Sequence, residues 1–205
     1  MTDRIGSCLR QGKTIIEAAL DLLFPGATNC AGCGATLPAS DKYICPSCRA
    51  AITPIAEPVC KRCNRPLAYP GFCELCRKRQ RPFIRSWSAA LYKGALRRCI
   101  HQFKYERAVY LSPFLASLIF TCLQTAKELP LEPLVVPVPL DRQRLRWRGF
   151  NQAEMLAEEL ARRCQWPLER NALRRFRITR PQADLNEVDR WSNVSGAFVA
   201  GKDLT

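Results

Sequence analysis

Eight cysteines between positions 30 and 76 are the residues of this 205-residue chain best suited to chemistry, and that chemistry is metal binding. They form four pairs, Cys30/Cys33, Cys45/Cys48, Cys60/Cys63 and Cys73/Cys76, each with two residues between. This spacing lets both thiolates of a pair bind one ion from a tight turn, so two pairs complete a tetrahedral sulfur site. The residue after the second cysteine of such a turn often takes a positive φ, which glycine and asparagine tolerate best. Gly34 and Asn64 stand at those places. The halves repeat: Cys30-x-x-Cys33-Gly34-x-x-Leu37 recurs as Cys60-x-x-Cys63-Asn64-x-x-Leu67, and Cys45-x-x-Cys48-Arg49 as Cys73-x-x-Cys76-Arg77. The repeat favours sequential pairing, Cys30, Cys33, Cys45 and Cys48 on one ion and Cys60, Cys63, Cys73 and Cys76 on the other. A cross-braced arrangement, first pair with third and second with fourth, stays open. A disulfide framework and an iron–sulfur cluster are the competing uses of such a cysteine count. Regular pairs without a recognisable export signal favour zinc.

Four thiolates close the coordination sphere and leave no position for a water nucleophile, so the two ions are expected to be structural. Few large apolar residues lie between the pairs, chiefly Leu37, Tyr43, Ile44, Ile52, Ile55, Val59, Leu67, Tyr69, Phe72 and Leu75. That is a thin core, and ligation must supply much of the folding free energy. The module is expected to present or dock rather than to catalyse.

The formal charge is +14. Eight thiolates around two divalent ions lower it to about +10. A balance of that size points to acidic partners, nucleic acid or phosphorylated metabolites. No stretch approaches the roughly 20 apolar residues of a membrane span, and so many thiols fit a reducing cytoplasm. Residues 1–26 contain an expected amphipathic helix over 13–24, stopped by Pro25-Gly26. The zinc module occupies 27–80, and a basic boundary follows at 77–82.

The remainder, 81–205, must position any second site. Residues 84–92 read as a strand, 95–104 as a helix with Leu96, Ile100 and Phe103 on one face, and 111–126 as a mostly buried helix. His101, the only histidine, is expected to partner a neighbouring group, and Cys99, Cys122 and Cys164 to be buried thiols. Residues 134–140 are short, β-branched and stopped by proline, as in a buried parallel strand. A loop then carries arginine at every second position, Arg142, Arg144, Arg146 and Arg148, before Gly149. Asn151-Gln152 opens a helix to about Arg163. Strand, basic loop and helix N-terminus gather backbone N–H groups and guanidinium groups around an anion. Arg174, Arg175, Arg177 and Arg180 add a second basic cluster around Phe176. Strand–helix alternation gives an α/β fold with ligands at the carboxyl ends of strands.

The four cysteine pairs are followed by Tyr92-x-Gly94-x-Leu96-Arg97, Lys104-Tyr105 and Val136-Pro137-Val138-Pro139-Leu140. Next come Arg146-x-Arg148-Gly149-Phe150-Asn151-Gln152-Ala153, Thr179-x-Pro181-Gln182 and Arg190-x-x-Asn193-Val194-x-Gly196-Ala197-Phe198. From about Cys30 onward this order resembles the ComF family of bacterial competence and phosphoribosyltransferase-like proteins, including its GntX-like relatives. The resemblance implies a type I phosphoribosyltransferase-like core, a mostly parallel sheet flanked by helices. On that template Val138, Pro139 and Leu140 form the turn that cradles pyrophosphate, and residues 142–149 form a mobile loop over it. Arg146, Arg148, Gly149, Asn151 and Gln152 complete the expected phosphate site. Arg142, Arg144, Arg174, Arg175 and Arg177 are the nucleic-acid candidates. The family's acidic pair and Thr-Thr-Gly turn, which hold phosphoribosyl pyrophosphate (PRPP) with Mg²⁺, have no counterpart before Thr205. On this reading the chain is a truncated form, expected not to transfer a phosphoribosyl group as it stands.

Three functions follow. A cytoplasmic transformation factor would hold single-stranded DNA and a PRPP-like ligand, alongside competence or DNA-processing proteins. Trp147, Phe150, Phe176 and Trp191 lie among its arginines. A full-length enzyme would pass phosphoribose to a nucleobase-like acceptor. A zinc-based adaptor would use the sheet domain as scaffold, and removing 27–80 should then leave that domain folded.

Overall fold

The computed structural model describes residues 28–201, apart from 39, 80, 81, 127, 128, 181, 183 and 184. The helix expected over 13–24 lies outside the described residues. The cysteine region folds as two copies of one knuckle. In the first, Gly34 N–H donates to Cys30 O (2.7 Å), Cys30 N–H to Ala35 O (2.7 Å) and Leu37 N–H to Thr28 O (2.8 Å). In the second, Asn64 N–H donates to Cys60 O (2.9 Å), Cys60 N–H to Arg65 O (2.8 Å) and Leu67 N–H to Pro58 O (2.9 Å). Gly34 and Asn64 hold φ of 82° and 58°, the left-handed turn the sequence predicts. Each knuckle ends in one short helix, α1 (Pro46–Ala50) or α2 (Glu74–Lys78).

Beyond them, α3 (Gly94–Tyr105) leads through a 3₁₀ turn (Val109–Leu111) into α4 (Ser112–Gln124). Then come α5 (Arg142–Arg148), α6 (Gln152–Cys164), β1 (Leu173–Arg175), α7 (Glu187–Val194) and β2 (Phe198–Ala200). α3 buries Ala95, Leu96, Cys99 and Phe103, one helical stripe. α4 packs along α6. Arg163 ties the pair by donating from Nη2 to Pro113 O at 3.2 Å. Among the described residues, no helix is long and apolar enough to cross a membrane.

The first knuckle does not stand apart from the helices. Cys30, Ala31, Ile44 and Cys48 share one core with Ala95, Leu96, Cys99 and Phe103 of α3, Leu111, and Phe114 and Leu115 of α4. Arg98 Nε donates to Gly32 O, and Gln102 Nε2 to Ala31 O at 3.2 Å. A Cβ on Gly32 would meet Cys48 Cβ and Sγ at 2.8 Å and Ala95 Cβ at 3.1 Å, so this close approach requires glycine. Cys60, Cys73 and Cys76 form a separate cluster flanked by Cys63, Leu67 and Leu75. The core of the domain that the adaptor expectation has folding without 27–80 includes the first knuckle.

Four further expectations are corrected. Residues 84–92 form no ladder; Ala90 makes a single antiparallel bridge to Pro54. Residues 134–140 make one parallel bridge, Val135 to Leu168, rather than a strand, and Val138 is exposed. Pro137 and Pro139 have no N–H to donate, which removes half of the ladder on their edge. Among the described residues the one sheet is antiparallel, with Leu173 opposite Ala200 and Arg175 opposite Phe198. The expected arginine loop is helix α5. The Asp141 side chain caps its start by accepting from Arg144 N–H at 2.9 Å. Gly149 stops it at φ 86°, its N–H donating to Leu145 O at 2.8 Å.

Candidate metal centres and basic face

The knuckle turns and the N-termini of α1 and α2 bring the cysteines into two tetrads. Cys30, Cys33, Cys45 and Cys48 have sulfurs all within 4.8 Å of one another, and so do Cys60, Cys63, Cys73 and Cys76. The pairing is sequential, and the cross-braced alternative is excluded by distance. A tetrahedral zinc with bonds of about 2.3 Å needs sulfur–sulfur edges of about 3.8 Å. Cys33 and Cys45 Sγ lie 3.8 Å apart, and Cys63 and Cys73 Sγ 3.7 Å.

Backbone donors are aimed at the sulfurs before any ion is considered. Cys30 Sγ accepts from Gly32 N–H (3.3 Å) and Cys45 N–H (3.2 Å), and Cys60 Sγ from Cys73 N–H (3.3 Å). Burial raises the Cys30 thiol, but backbone donors from Cys45, Cys33 and Gly32 outweigh it and bring it to about 6. Cys60 likewise falls to about 6 against its burial, through donors from Cys63, Cys73 and Arg62. Burial and hydrogen bonds with neighbouring sulfurs push Cys48 and Cys76 up to about 12. One sulfur of each tetrad, Cys30 or Cys60, is thus shifted towards the thiolate, while Cys48 or Cys76 holds a proton that a divalent ion would displace. Cys99 is different. Burial pushes it up to about 11, and it is a protonated core group. Cys122 and Cys164, expected to be buried, are only half-buried.

The second cluster is built around Asp141, which is 3% exposed. Its Oδ2 lies 3.4 Å from Arg144 Nε and 3.7 Å from Arg175 Nη2. Arg144 Nη2 also donates to Thr179 O (3.0 Å), and Arg175 Nη2 to the Thr179 hydroxyl. Burial lowers the Arg175 guanidinium from its usual value, and the Asp141 carboxylate opposes that shift. Arg142, Arg174, Arg175, Phe176 and Arg177 border one open cavity of about 380 Å³ beside Asp141. Arg177 is anchored by donating from Nη2 to Asn193 O (3.1 Å) and Ser195 O (2.6 Å). The nucleic-acid candidates are therefore gathered, with Arg144 joined to them through Asp141.

The expected phosphate residues are divided. Asn151 caps α6 by accepting from Ala153 N–H (3.1 Å), and its Nδ2 donates to Val138 O (3.2 Å), fixing the turn that continues through Pro139 and Leu140. Gln152 accepts from Arg148 Nη1 (2.5 Å) and donates to Lys104 O (3.5 Å). Both side chains are buried and hold the scaffold together. Arg146 is exposed on α5. Arg148 stands over the Tyr105 ring at 5.2 Å and does not line the cavity. His101 partners Glu106, Nδ1 to Oε1 at 3.1 Å, as a lone histidine was expected to do. The sequence motifs include Tyr105 and Thr179 but gave them no site role, and Asp141 was missed. For Asp141 the signal was available, an N-cap residue just before seven helical positions.

Residues 19–77 match the family model described as a double zinc ribbon domain, and the two tetrads are zinc sites. No solved structure matches the chain. The chain is 29% identical over 173 residues to competence protein F of Haemophilus influenzae, covering 82% of this chain and 75% of that protein. It is 31% identical over 183 residues to DNA utilization protein YhgH of Salmonella typhi, covering 86% and 78%. With competence protein ComFC of Bacillus subtilis it shares 32% over 138 residues, covering 63% and 56%. Two cysteine tetrads, a helical core built onto the first, and this similarity along most of the chain place it in the family of competence protein F and DNA utilization protein YhgH.

Proposed function

We propose that this protein acts in DNA uptake or utilization in the cytoplasm, holding single-stranded DNA on the basic face around Asp141. The observation that carries this reading is the gathering of Arg142, Arg174, Arg175 and Arg177 about one cavity open to solvent, with the exposed Phe176 among them. Arginines at that density neutralise successive phosphates, and an aromatic ring among them gives a base a stacking surface. The names of the relatives, competence protein F and DNA utilization protein, agree with that chemistry. Zinc serves as architecture, since each tetrad uses all its ligands on protein sulfur.

The zinc-loaded protein is expected to bind a dT oligomer with log K falling linearly against log salt, by about 0.7 for each phosphate neutralised. Arg142→Glu with Arg174→Glu should weaken binding and flatten that slope. Equal affinity of parent and double variant at every salt concentration would remove this face from consideration. The same cavity favours a second reading. Its volume suits a small phosphorylated molecule, and Arg142, Arg174, Arg175 and Arg177 would hold the phosphates of a PRPP-like ligand there. On that reading PRPP should displace the dT oligomer, and a titration with no competition would set it aside.

A further inference from the structure

Away from the Asp141 cavity, four planar groups from α3 and the end of α5 form a staircase. His101 and Tyr105, four residues apart on α3, have ring centroids 4.8 Å apart at 47°. The Arg148 guanidinium lies over Tyr105 at 5.2 Å and near the Trp147 ring at 5.9 Å. Arg107 clamps the two segments together, donating from Nη2 to Trp147 O at 3.4 Å. Gln152, itself buried, holds Arg148 from below.

Packing does not explain these rings. Trp147 is 62% exposed and Tyr105 50% exposed, while Phe103 and Phe150, which meet at 5.8 Å, belong to the core. Large aromatic surfaces left in water beside a cluster of cations mark an interaction site. Lys104, Arg107 and Arg146 lie next to these residues in sequence and are exposed. The occupant must therefore be flat, stackable and anionic along its backbone. Unstacked bases of a single strand meet all three conditions; a duplex hides its base faces, and a small phosphate has none to offer.

We infer that Tyr105 and Trp147, spaced by Arg148, are a base-stacking platform for single-stranded DNA, separate from the phosphate-binding arginines at the Asp141 cavity. This rests on the single-strand reading above and gives it a second contact point with different chemistry. Stacking supplies affinity without sequence preference and without counterion release, because every base has a π-face and no charge is neutralised.

The test uses the zinc-loaded 205-residue chain, dT oligomers and three variants, Trp147→Ala, Trp147→Phe and Tyr105→Ala. Each alanine variant should weaken dT binding by about 5- to 150-fold, with the slope against salt unchanged. Trp147→Phe should recover most of that loss. Binding should quench tryptophan fluorescence in the parent, and that quenching should shrink in Trp147→Phe. Parent affinity in both alanine variants would overturn the platform and leave the arginine face standing. So would a loss accompanied by a flattened salt slope or reduced helical signal, which would mark a charge or folding effect. Absence of dT binding by the parent at low salt would overturn the platform and the single-strand reading together.

Discussion

Serine in place of Cys30 or Cys48 is expected to unfold the helical core, whereas serine at Cys60 or Cys76 should leave it folded and disorder only the second knuckle. The parent should carry two zinc ions per chain and each variant one, so elemental analysis gives the same reading for both tetrads. Stability should not. Structural zinc contributes about 10–16 kcal/mol of apparent binding free energy in small modules, comparable to the roughly 5–15 kcal/mol that holds a whole domain together. Cys30 and Cys48 of the first tetrad lie inside the main core, in one cluster with Cys99, Phe103, Leu111 and Phe114, and half-buried Cys45 packs against it. α3 also donates from Arg98 and Gln102 to the turn carbonyls between Cys30 and Cys33. Loss of that ion removes one wall of the core. In the second tetrad Cys60, Cys73 and Cys76 cluster with the fourth ligand, Cys63, and with Leu67 and Leu75, apart from the main core. Its ties outward include Asn64 Nδ2 to Ser88 O (3.3 Å) and Ser86 N–H to Arg62 O (2.7 Å). Thermal melts followed by circular dichroism, with hydrogen exchange on α3, α4 and α6, make the comparison. Equal loss of protection in those helices from Cys30→Ser and Cys60→Ser would show that the knuckles are energetically equivalent and refute the asymmetry.

That asymmetry was not legible in the cysteine spacing. The repeat specified the turns and their positive φ at Gly34 and Asn64, and favoured the sequential pairing, because these depend on residues a few positions apart. It treated the knuckles as equals. What separates them is Ala95 and Cys99, more than fifty residues downstream, and a glycine at 32 small enough for a helix to approach. The helices of 94–105, 112–124 and 152–164 were readable from apolar periodicity and from Asn151 at a cap position. α5 was not, because Leu145 and Trp147 are largely exposed and no buried stripe marks it. Its caps, Asp141 and Gly149, were the signal. The strands expected at 84–92 and 134–140 show the opposite error. β-branched composition reports a preference for extended backbone, but a ladder needs a partner with free donors and acceptors, and each segment finds only a single bridge.

Asp141→Ala is expected to cost about 3–5 kcal/mol and to scatter the arginines of the basic face. The carboxylate does two jobs at once: it caps α5 through Oδ1 to Arg144 N–H, and it holds Arg144 and Arg175 through Oδ2. A lost cap alone costs about 1 kcal/mol. The remainder comes from leaving Arg175, whose side chain is 7% exposed, as a buried cation facing no anion. Asp141→Asn separates the two roles, since asparagine caps as well as aspartate but carries no charge; it should recover about 1 kcal/mol and no more. A double-mutant cycle between Asp141→Ala and Arg175→Ala by urea unfolding then isolates the ion pair, with a coupling energy expected near 2 kcal/mol. Binding gives an independent readout. By charge alone, removing a carboxylate should strengthen the hold on dT, whereas losing the pin should weaken it by releasing Arg142, Arg174 and Arg175 from a common wall. The pin should win in Asp141→Ala, because its effect on arginine placement is first-order while the buried carboxylate is one charge already paired with Arg144 and Arg175. Tighter dT binding with unchanged stability would show that the arginines are arranged by their own helices and strand, and that Asp141 is incidental to the face it lies beneath.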